Sequence, residues 1–298
     1  MTSVILACGG LPPELAGTVP HEVVTTVLSA VPGRRELRVL DELASSHLPV
    51  DPTPSLDEIA AQPDVPHQAD PVTAPQQPDE PVRVIVVGSD AALAAVVTRL
   101  MRIDALWISV GYVPVDPESL TAHNWGLDAG QLPLPAAFDV ALTGQARPTA
   151  LVRDDSGTVT LGCAEIFHSG QTLVGEVIVD SETLFLNDAE VPWNGRTGPF
   201  GVRFVPTTGA PGIAATRLTT PSRWDRVAAD MTPGRRLSRI FSRPVTPGQV
   251  DADVVLTGRA LQAGGVGLTV VRDGVVHPRT VSSVTFYRHL RDGQFVRR

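Results

Sequence analysis

Gly88-Ser89-Asp90 is the short stretch whose residue types could do chemistry. It follows the apolar run 84–87. It precedes residues 91–101, where Leu93, Val96, Val97, Leu100 and Met101 recur at helical spacing. At such a strand-to-helix turn Ser89 or Asp90 can cap the first helical amides, which lack intrahelical partners. Those amides can instead hold a phosphate, with Gly88 permitting the tight turn. Gly9-Gly10 ends an earlier apolar run, 3–7, and would stand beside Gly88 if the two strands are neighbours. A plain strand-ending turn is the other reading of that pair. Asp90 is the candidate acid, with a helix cap as its alternative role.

The rest of the composition narrows the chemistry. All 24 basic residues are Arg, and the absence of Lys excludes a Walker A lysine and a Schiff base. Any phosphate must therefore be held by amides or by Arg. The seven histidines have no metal-ligand spacing, so no metal is assigned from a motif. No Gly-x-Ser-x-Gly marks a hydrolase elbow. Cys8 and Cys163 lie in apolar runs and read as buried thiols. A net charge of −8 argues against nucleic acid as a partner. Residues 1–11 lack the basic start and apolar length of a signal peptide, and no run is long enough to span a membrane. A cytoplasmic protein is expected.

Two further clusters stand out. His123, Asn124 and Trp125 lie together; Trp125 would either stack on an adenine or sit in the core. Arg223, Arg226, Arg235, Arg236, Arg239 and Arg243 would either meet anionic lipid or a phosphorylated substrate, or form a solvated face.

The elements that must position these residues follow from the pattern. Residues 82–114 read as strand, turn, helix and strand, a βαβ unit with buried strands. Before it, 3–7 reads as a strand, 21–30 as a helix, 36–40 as a second strand and 41–46 as a helical turn. Residues 49–81 hold nine prolines and seven acids and no Arg, so this segment reads as a flexible insertion with a short helix at 55–61. A linker between domains is the alternative for that segment. After the unit, 116–127 carries a short helix capped by Asp116 or Ser119, and 131–137 reads as an irregular connection. From residue 149 short runs rich in Val, Thr, Leu and Phe alternate with turn residues, the signature of an antiparallel sandwich or barrel. Two domains result: an α/β unit at 1–145 and a β-sandwich at 146–298, with the boundary near 143–149.

A small α/β domain with a Gly-rich turn followed by a β-rich domain resembles the diacylglycerol kinase family of bacterial lipid kinases, which shares its fold with sphingosine kinases and is related to NAD kinases. The resemblance runs loosely from residue 82 to the C-terminus, and over 3–40 by pattern only. The family's turn reads Gly-Gly-Asp-Gly-Thr; here Gly88 and Asp90 match, while Ser89, Ala91 and Ala92 replace Gly, Gly and Thr. The family's Pro-x-Gly-Thr segment, with its later Ala and Leu-Gly pair, is matched at Pro114, with Val115-Asp116 in place of Gly-Thr. Ala122 and Trp125-Gly126-Leu127 fill the end of that segment. Its Asp-Gly-Glu is Asp273-Gly274-Val275, without the acid, which removes a potential metal or base contact.

The resemblance implies an NAD kinase/diacylglycerol kinase-like, Rossmann-like layered N-terminal domain and an all-β C-terminal sandwich. It implies ATP and Mg2+ as cofactors and a lipid or membrane surface as partner. Gly9, Gly10, Gly88, Ser89, Asp90 and Pro114 would bind the nucleotide, with Asp90 as the catalytic residue. Three functions stay open: an active lipid kinase, an inactive member that binds nucleotide or lipid, and an unrelated α/β binding protein. The Ala91-Ala92 pair discriminates between the first two, because it lacks the glycine and hydroxyl of the family turn.

Overall fold

The computed structural model describes residues 1–298 except 52, 62–68, 128–129, 189–197 and 231–245. The first half carries β1 (Thr2–Cys8), β2 (Val24–Leu28), α1 (Arg38–His47), α2 (Leu56–Ala60), β3 (Val82–Gly88), α3 (Asp90–Arg102), β4 (Ser109–Pro114), α4 (Leu120–Asn124), α5 (Leu134–Thr143) and β5 (Ala146–Thr149). The second half carries β6 (Val152–Asp154), β7 (Val159–Thr160), β8 (Ala164–Phe167), β9 (Gly175–Val179), β10 (Glu182–Asn187), β11 (Gly201–Pro206), β12 (Ile213–Leu218), α6 (Asp225–Asp230), β13 (Val250–Gly258), β14 (Ala260–Arg272), β15 (Val275–Val276), β16 (Val281–Arg288) and β17 (Gly293–Val296).

The first sheet has the order β2-β1-β3-β4-β17-β5, and β2, β1, β3, β4 and β17 run parallel. Its central strands are mostly apolar and buried because both faces are covered, with Arg83 the one charged residue of β3. Val4, Leu6, Cys8, Val84 and Val86 pack with α3 and Leu40 of α1, while Ile5, Ile85, Val87 and Val113 pack with Phe138 and Ala141 of α5. Alternate residues of one strand thus serve two cores. Gly111 lets α5 lie close: a Cβ there would stand 2.4 Å from the Ala141 carbonyl oxygen.

The second sheet is antiparallel, ordered β13-β12-β11-β8-β14-β16-β6-β7, with β9 paired to both β10 and β14. Strand β14 is the hinge of this layer. Leu261–Gly264 pairs with β9, Thr269–Arg272 pairs with β8, and the register on β16 shifts between them. The bend closes the sheet over a core that includes Ile166, Phe204, Leu261, Val270 and Phe286.

Four local expectations are corrected. Residues 24–28 form a strand, not part of a helix, because Val24-Thr25-Thr26-Val27 is β-branched throughout and pairs in register with β1. The strand expected at 36–40 is instead the entry to helix α1, which buries Leu40 fully. The irregular connection expected at 131–137 turns into α5 at Leu134, with a proline in its first turn, where the missing N–H costs nothing. Gly293–Val296, expected in the sandwich, returns to the first sheet between β4 and β5. The chain therefore crosses between the layers twice.

Of segment 49–81, residues 52 and 62–68 lie outside the described residues. The described part holds α2, whose capping box joins Ser55 and Glu58. The Val72 amide donates to Asp292 at 3.0 Å, and Arg288 donates to the Ala69 carbonyl at 2.7 Å.

Candidate functional site

Strand order places the turn residues. β1 and β3 are neighbours, yet their onward connections leave toward opposite edges of the sheet. The crevice at the carboxyl ends of such a pair is where doubly wound α/β sheets take ligands. Gly9-Gly10 closes β1, Gly88 closes β3, and Pro114 closes β4 in register with Gly88. Gly9 (φ 89°) and Gly10 (φ 107°) occupy backbone conformations that L side chains avoid. Gly88 is required by packing: a Cβ there would lie 3.0 Å from the Cys8 Cβ and 3.1 Å from that of Ala92. The structure thus brings together all six residues expected at the site.

Ser89 is the N-cap of α3 and accepts from the Ala92 amide at 3.3 Å. Asp90 caps a different helix. Its Oδ1 accepts from Tyr112 Oη at 2.9 Å and Ser119 Oγ at 2.5 Å, and its Oδ2 from the amides of Leu120 at 3.0 Å and Thr121 at 3.2 Å. Ser119 in turn caps α4 at the Ala122 amide. Four donors fill the four lone-pair positions of a carboxylate. Asp90 therefore welds β3, β4 and α4 at the sheet's top, and the Tyr112 hydroxyl, buried beside it, is pushed far above its ordinary pKa by desolvation first and by the Asp90 charge second.

Asp273, a residue given no role beyond its motif match in the sequence, faces Asp90. It sits at the turn after β14 with φ 46°, a conformation Asp tolerates better than most residues. Its Oδ1 accepts from the amides of Gly162 at 2.7 Å and Cys163 at 3.0 Å, and its Oδ2 from Leu161 at 3.0 Å. Burial pushes its carboxyl up to about 7, against the pull of those amides, and the Asp90 charge adds to the rise. Gly162 is the meeting point. A Cβ there would lie 3.0 Å from each of Asp273 Oδ1, Asp90 Oδ2 and Thr121 Oγ1. Asn124 holds the same residue by donating to its carbonyl at 2.9 Å. Only the fold reveals this cluster: Asp273 and Gly162 stand 111 residues apart.

Along α3 runs a cleft of about 310 Å³. Ala91, Ala94, Ala95, Thr98 and Arg102 of the helix form one wall, and Arg272, Asp273, Val275, Val276 and His277 another, with Pro32 and Arg34 from the loop after β2. Ala91 therefore faces the cleft while Ala92 is fully buried in the core. Two of the cleft's arginines are neutralised, Arg99 by Asp41 and Arg272 by Asp154. Arg102 donates to the carbonyls of Gly157 and Ser156, which carry no charge, and Arg34 is exposed with no partner among the described residues.

The remaining expectations separate. Trp125 is buried and stacks on Phe295 with ring centroids 4.6 Å apart, so it is a core aromatic. His123 is exposed. Of the arginine run, Arg223 lies over the Trp224 ring and Arg226 is exposed, while Arg235, Arg236, Arg239 and Arg243 lie outside the described residues. Burial raises the thiols of Cys8 and Cys163, to about 11 and about 12. No described helix is long and apolar enough to cross a membrane.

A crystal structure of a diacylglycerol kinase from Bacillus anthracis str. Sterne matches 100% of this chain and 97% of its own at 10% identity, with a TM-score of 0.53. A second crystal structure of that type from the same organism matches the same shares at 9% identity, with a TM-score of 0.54. An NAD kinase from Archaeoglobus fulgidus, in complex with ATP, aligns at 11% identity with a TM-score of 0.42. No protein-family model and no curated protein matches the sequence. The chain shares its fold with these two diacylglycerol kinase structures, and at these identities the likeness is one of fold alone.

Proposed function

We propose that this chain binds a nucleotide in the cleft along α3 and has lost efficient phosphoryl transfer. The observation that carries the reading is the cleft's charge. Arg34 and Arg102 have no carboxylate partner there, and the cleft begins at Ala91, in the first turn of α3. The amides of Asp90 and Ala91 precede the capped Ala92 amide and supply donors for a phosphate, reinforced by the helix dipole. Gly9, Gly10, Gly88, Ser89 and Pro114 stand at the strand tips, outside the lining of this cleft. Ala91, Ala94 and Ala95 offer an apolar wall to a base or sugar.

ATP thus fits the residues present; Mg2+ does not. A magnesium ion takes oxygen ligands with lone pairs to spare. Each oxygen of Asp90 already accepts two hydrogen bonds, Asp273 accepts three amides, and Val275 offers no oxygen where the kinases carry an acid. Phosphoryl transfer depends on charge neutralisation and positioning, so this deficit falls on turnover before it falls on binding. Calorimetric titration with Mg2+-ATP is expected to give a Kd of roughly 0.1–1 mM, about −4 to −5.5 kcal/mol. Isotopic transfer from ATP to mixed lipid vesicles should stay at background. Tight binding, or the absence of binding, would each refute the proposal.

An active lipid kinase is the second reading, and one observation favours it. Asp273 lines the cleft with a carboxyl near 7, the range in which a general base works best. In that case it would take the proton of a lipid hydroxyl as that oxygen bonds to the γ-phosphorus of ATP and the bond to the β,γ-bridging oxygen breaks, releasing ADP, with Val275 and Val276 against the acyl chain. Lipid phosphorylation lost in Asp273→Asn would establish this reading.

A further inference from the structure

β2 is an edge of the first sheet: it pairs with β1 and with no other described strand. Natural edges are blunted by charge, proline or shortness. The other edge strands here follow that rule. β5 carries Arg147 and Pro148, β13 carries Asp251 and Asp253, β10 carries Glu182, and β7 and β15 are two residues long. β2 reads Val24-Thr25-Thr26-Val27-Leu28, with no charge and no proline. Val24 and Val27 are 63% and 66% exposed, and Thr25 is exposed between them.

The backbone fixes what this edge can receive. The Gly9 amide donates to the Leu28 carbonyl at 2.9 Å, so Leu28 faces β1, and with it Thr26 and Val24 at alternate positions. Thr25 and Val27 turn their N–H and C=O groups outward, and no described residue hydrogen-bonds to them. The free stretch ends there. The Ser29 amide, next in the outward series, donates to Glu36 at 2.8 Å, and the Val23 amide donates to the Pro20 carbonyl at 3.1 Å.

Two outward residues with one between them are self-complementary. In an antiparallel ladder, opposed residues that exchange both their hydrogen bonds recur at every second position. A two-fold axis through Thr26 sets Thr25 against Val27 of a second copy, twice over, and uses every outward group of these residues. It also sets the exposed Val24 against Leu28 of that copy. Charge favours the same orientation. Glu22, before the strand, is exposed; Arg34, Arg35 and Arg38, after it, are exposed too. Glu36, the acid among them, is taken up by Ser29 and Gly33. Antiparallel copies bring the acidic end of each over the basic end of the other, whereas parallel copies bring like charge to like.

We propose that β2 is a self-association edge, to which a second copy of this chain adds antiparallel about Thr26, joining the two six-stranded sheets. The inference is independent of the nucleotide reading. Few hydrogen bonds and two short rows of side chains make a small interface, so the expected Kd is weak, of order 10–100 μM.

Sedimentation equilibrium of the full chain, from about 1 to about 500 μM, should move the mass from 31.5 kDa toward twice that value. Val27→Lys, at an exposed position, adds the charge by which other edges resist pairing and should weaken association by about tenfold or more. Thr26→Cys tests the axis. Its Cα would stand about 4.5 Å from its mate, within disulfide reach, so copper phenanthroline should cross-link it into a dimer. Thr25→Cys, off the axis, should cross-link far less. Cys8 and Cys163 are buried and stay out of the reaction. A chain that remains at 31.5 kDa at every concentration overturns the proposal. So does a dimer that Val27→Lys leaves intact, or assembly beyond the dimer. Cross-linking through Thr25→Cys in preference to Thr26→Cys overturns the axis at Thr26.

Discussion

Two carboxylates face each other across Gly162, and the protein treats them differently. Asp90, on the α/β side, is half-buried and takes its four hydrogen bonds from two hydroxyls and two amides on β4 and at the start of α4. Asp273, on the β side, is buried and takes three, all from consecutive amides of one segment. The first is a joint between elements of one layer. The second pins the bend at 161–163 that leads into β8, and it lines the cleft. Matching residues at two motif positions therefore do unlike work. The second carboxylate keeps the chemistry of a titrating group because burial opposes its charge.

The comparison breaks most visibly in stability against pH. Asp273 moves from an ordinary value of 3.8 to about 7 on folding. Between those values the folded chain holds a proton that the unfolded chain has released, so stability falls as pH rises through the window. Below the lower value the two states bind equally and the contribution is whole; above about 7 it is gone. The full swing is of order 4 kcal/mol, at about 1.36 kcal/mol per pH unit. Urea unfolding of wild type from pH 4 to 8 should show the decline, and Asp273→Asn should flatten it. An identical slope in both would mean that Asp273 is ionised throughout.

A smaller effect is expected from Asp90→Ala. It strands the Leu120 and Thr121 amides and the buried Tyr112 hydroxyl, at about 2–3 kcal/mol in total, since part of the site can rehydrate. Because α4 also carries Asn124 against Gly162, loosening it should disturb the Asp273 site as well. Asp90→Ala and Asp273→Asn are then non-additive in urea unfolding, where residues without shared partners would add. Additivity would separate the two halves of the cluster.

The sequence carried the βαβ unit well and narrowed the cap of α4 to Asp116 or Ser119, of which the structure takes Ser119, because both depend on neighbours in the chain. It also marked Gly9, Gly10 and Gly88, since turn chemistry is local, whereas Pro114 came from the family resemblance alone. What it misled on were short pieces whose state is set by pairing. Residues 24–28 gain strand form from β1, and Gly293–Val296 join a sheet whose other strands begin 147 residues or more earlier. The Asp90–Gly162–Asp273 cluster belongs with these. Its members come from three distant turns, and the informative residue is a glycine, which has no side chain to advertise a site. Ala92 is the reverse case: its motif position promised a hydroxyl contact, yet its side chain packs in the core. The family threonine could not be restored there without overpacking.

That leaves Ala91 as the position of the turn open to a ligand, and it gives the smallest of the effects. Ala91 lines the cleft in the first turn of α3, where its Cβ stands beside the amides assigned to phosphate. Ala91→Gly removes that carbon. It should tighten Mg2+-ATP binding by up to about tenfold, near 1.4 kcal/mol, if close backbone approach is what the site lacks. The helix loses some propensity, by less than about 1 kcal/mol, so the fold persists and the comparison is fair. The same substitution should leave the pH dependence of stability untouched, because Ala91 bonds to neither carboxylate through its side chain. Calorimetry on wild type and Ala91→Gly decides the point. Unchanged affinity would move the phosphate away from the α3 terminus toward Arg34 and Arg102, whereas an unchanged pH slope with tighter binding would show that the cleft and the carboxylate pair are energetically separate.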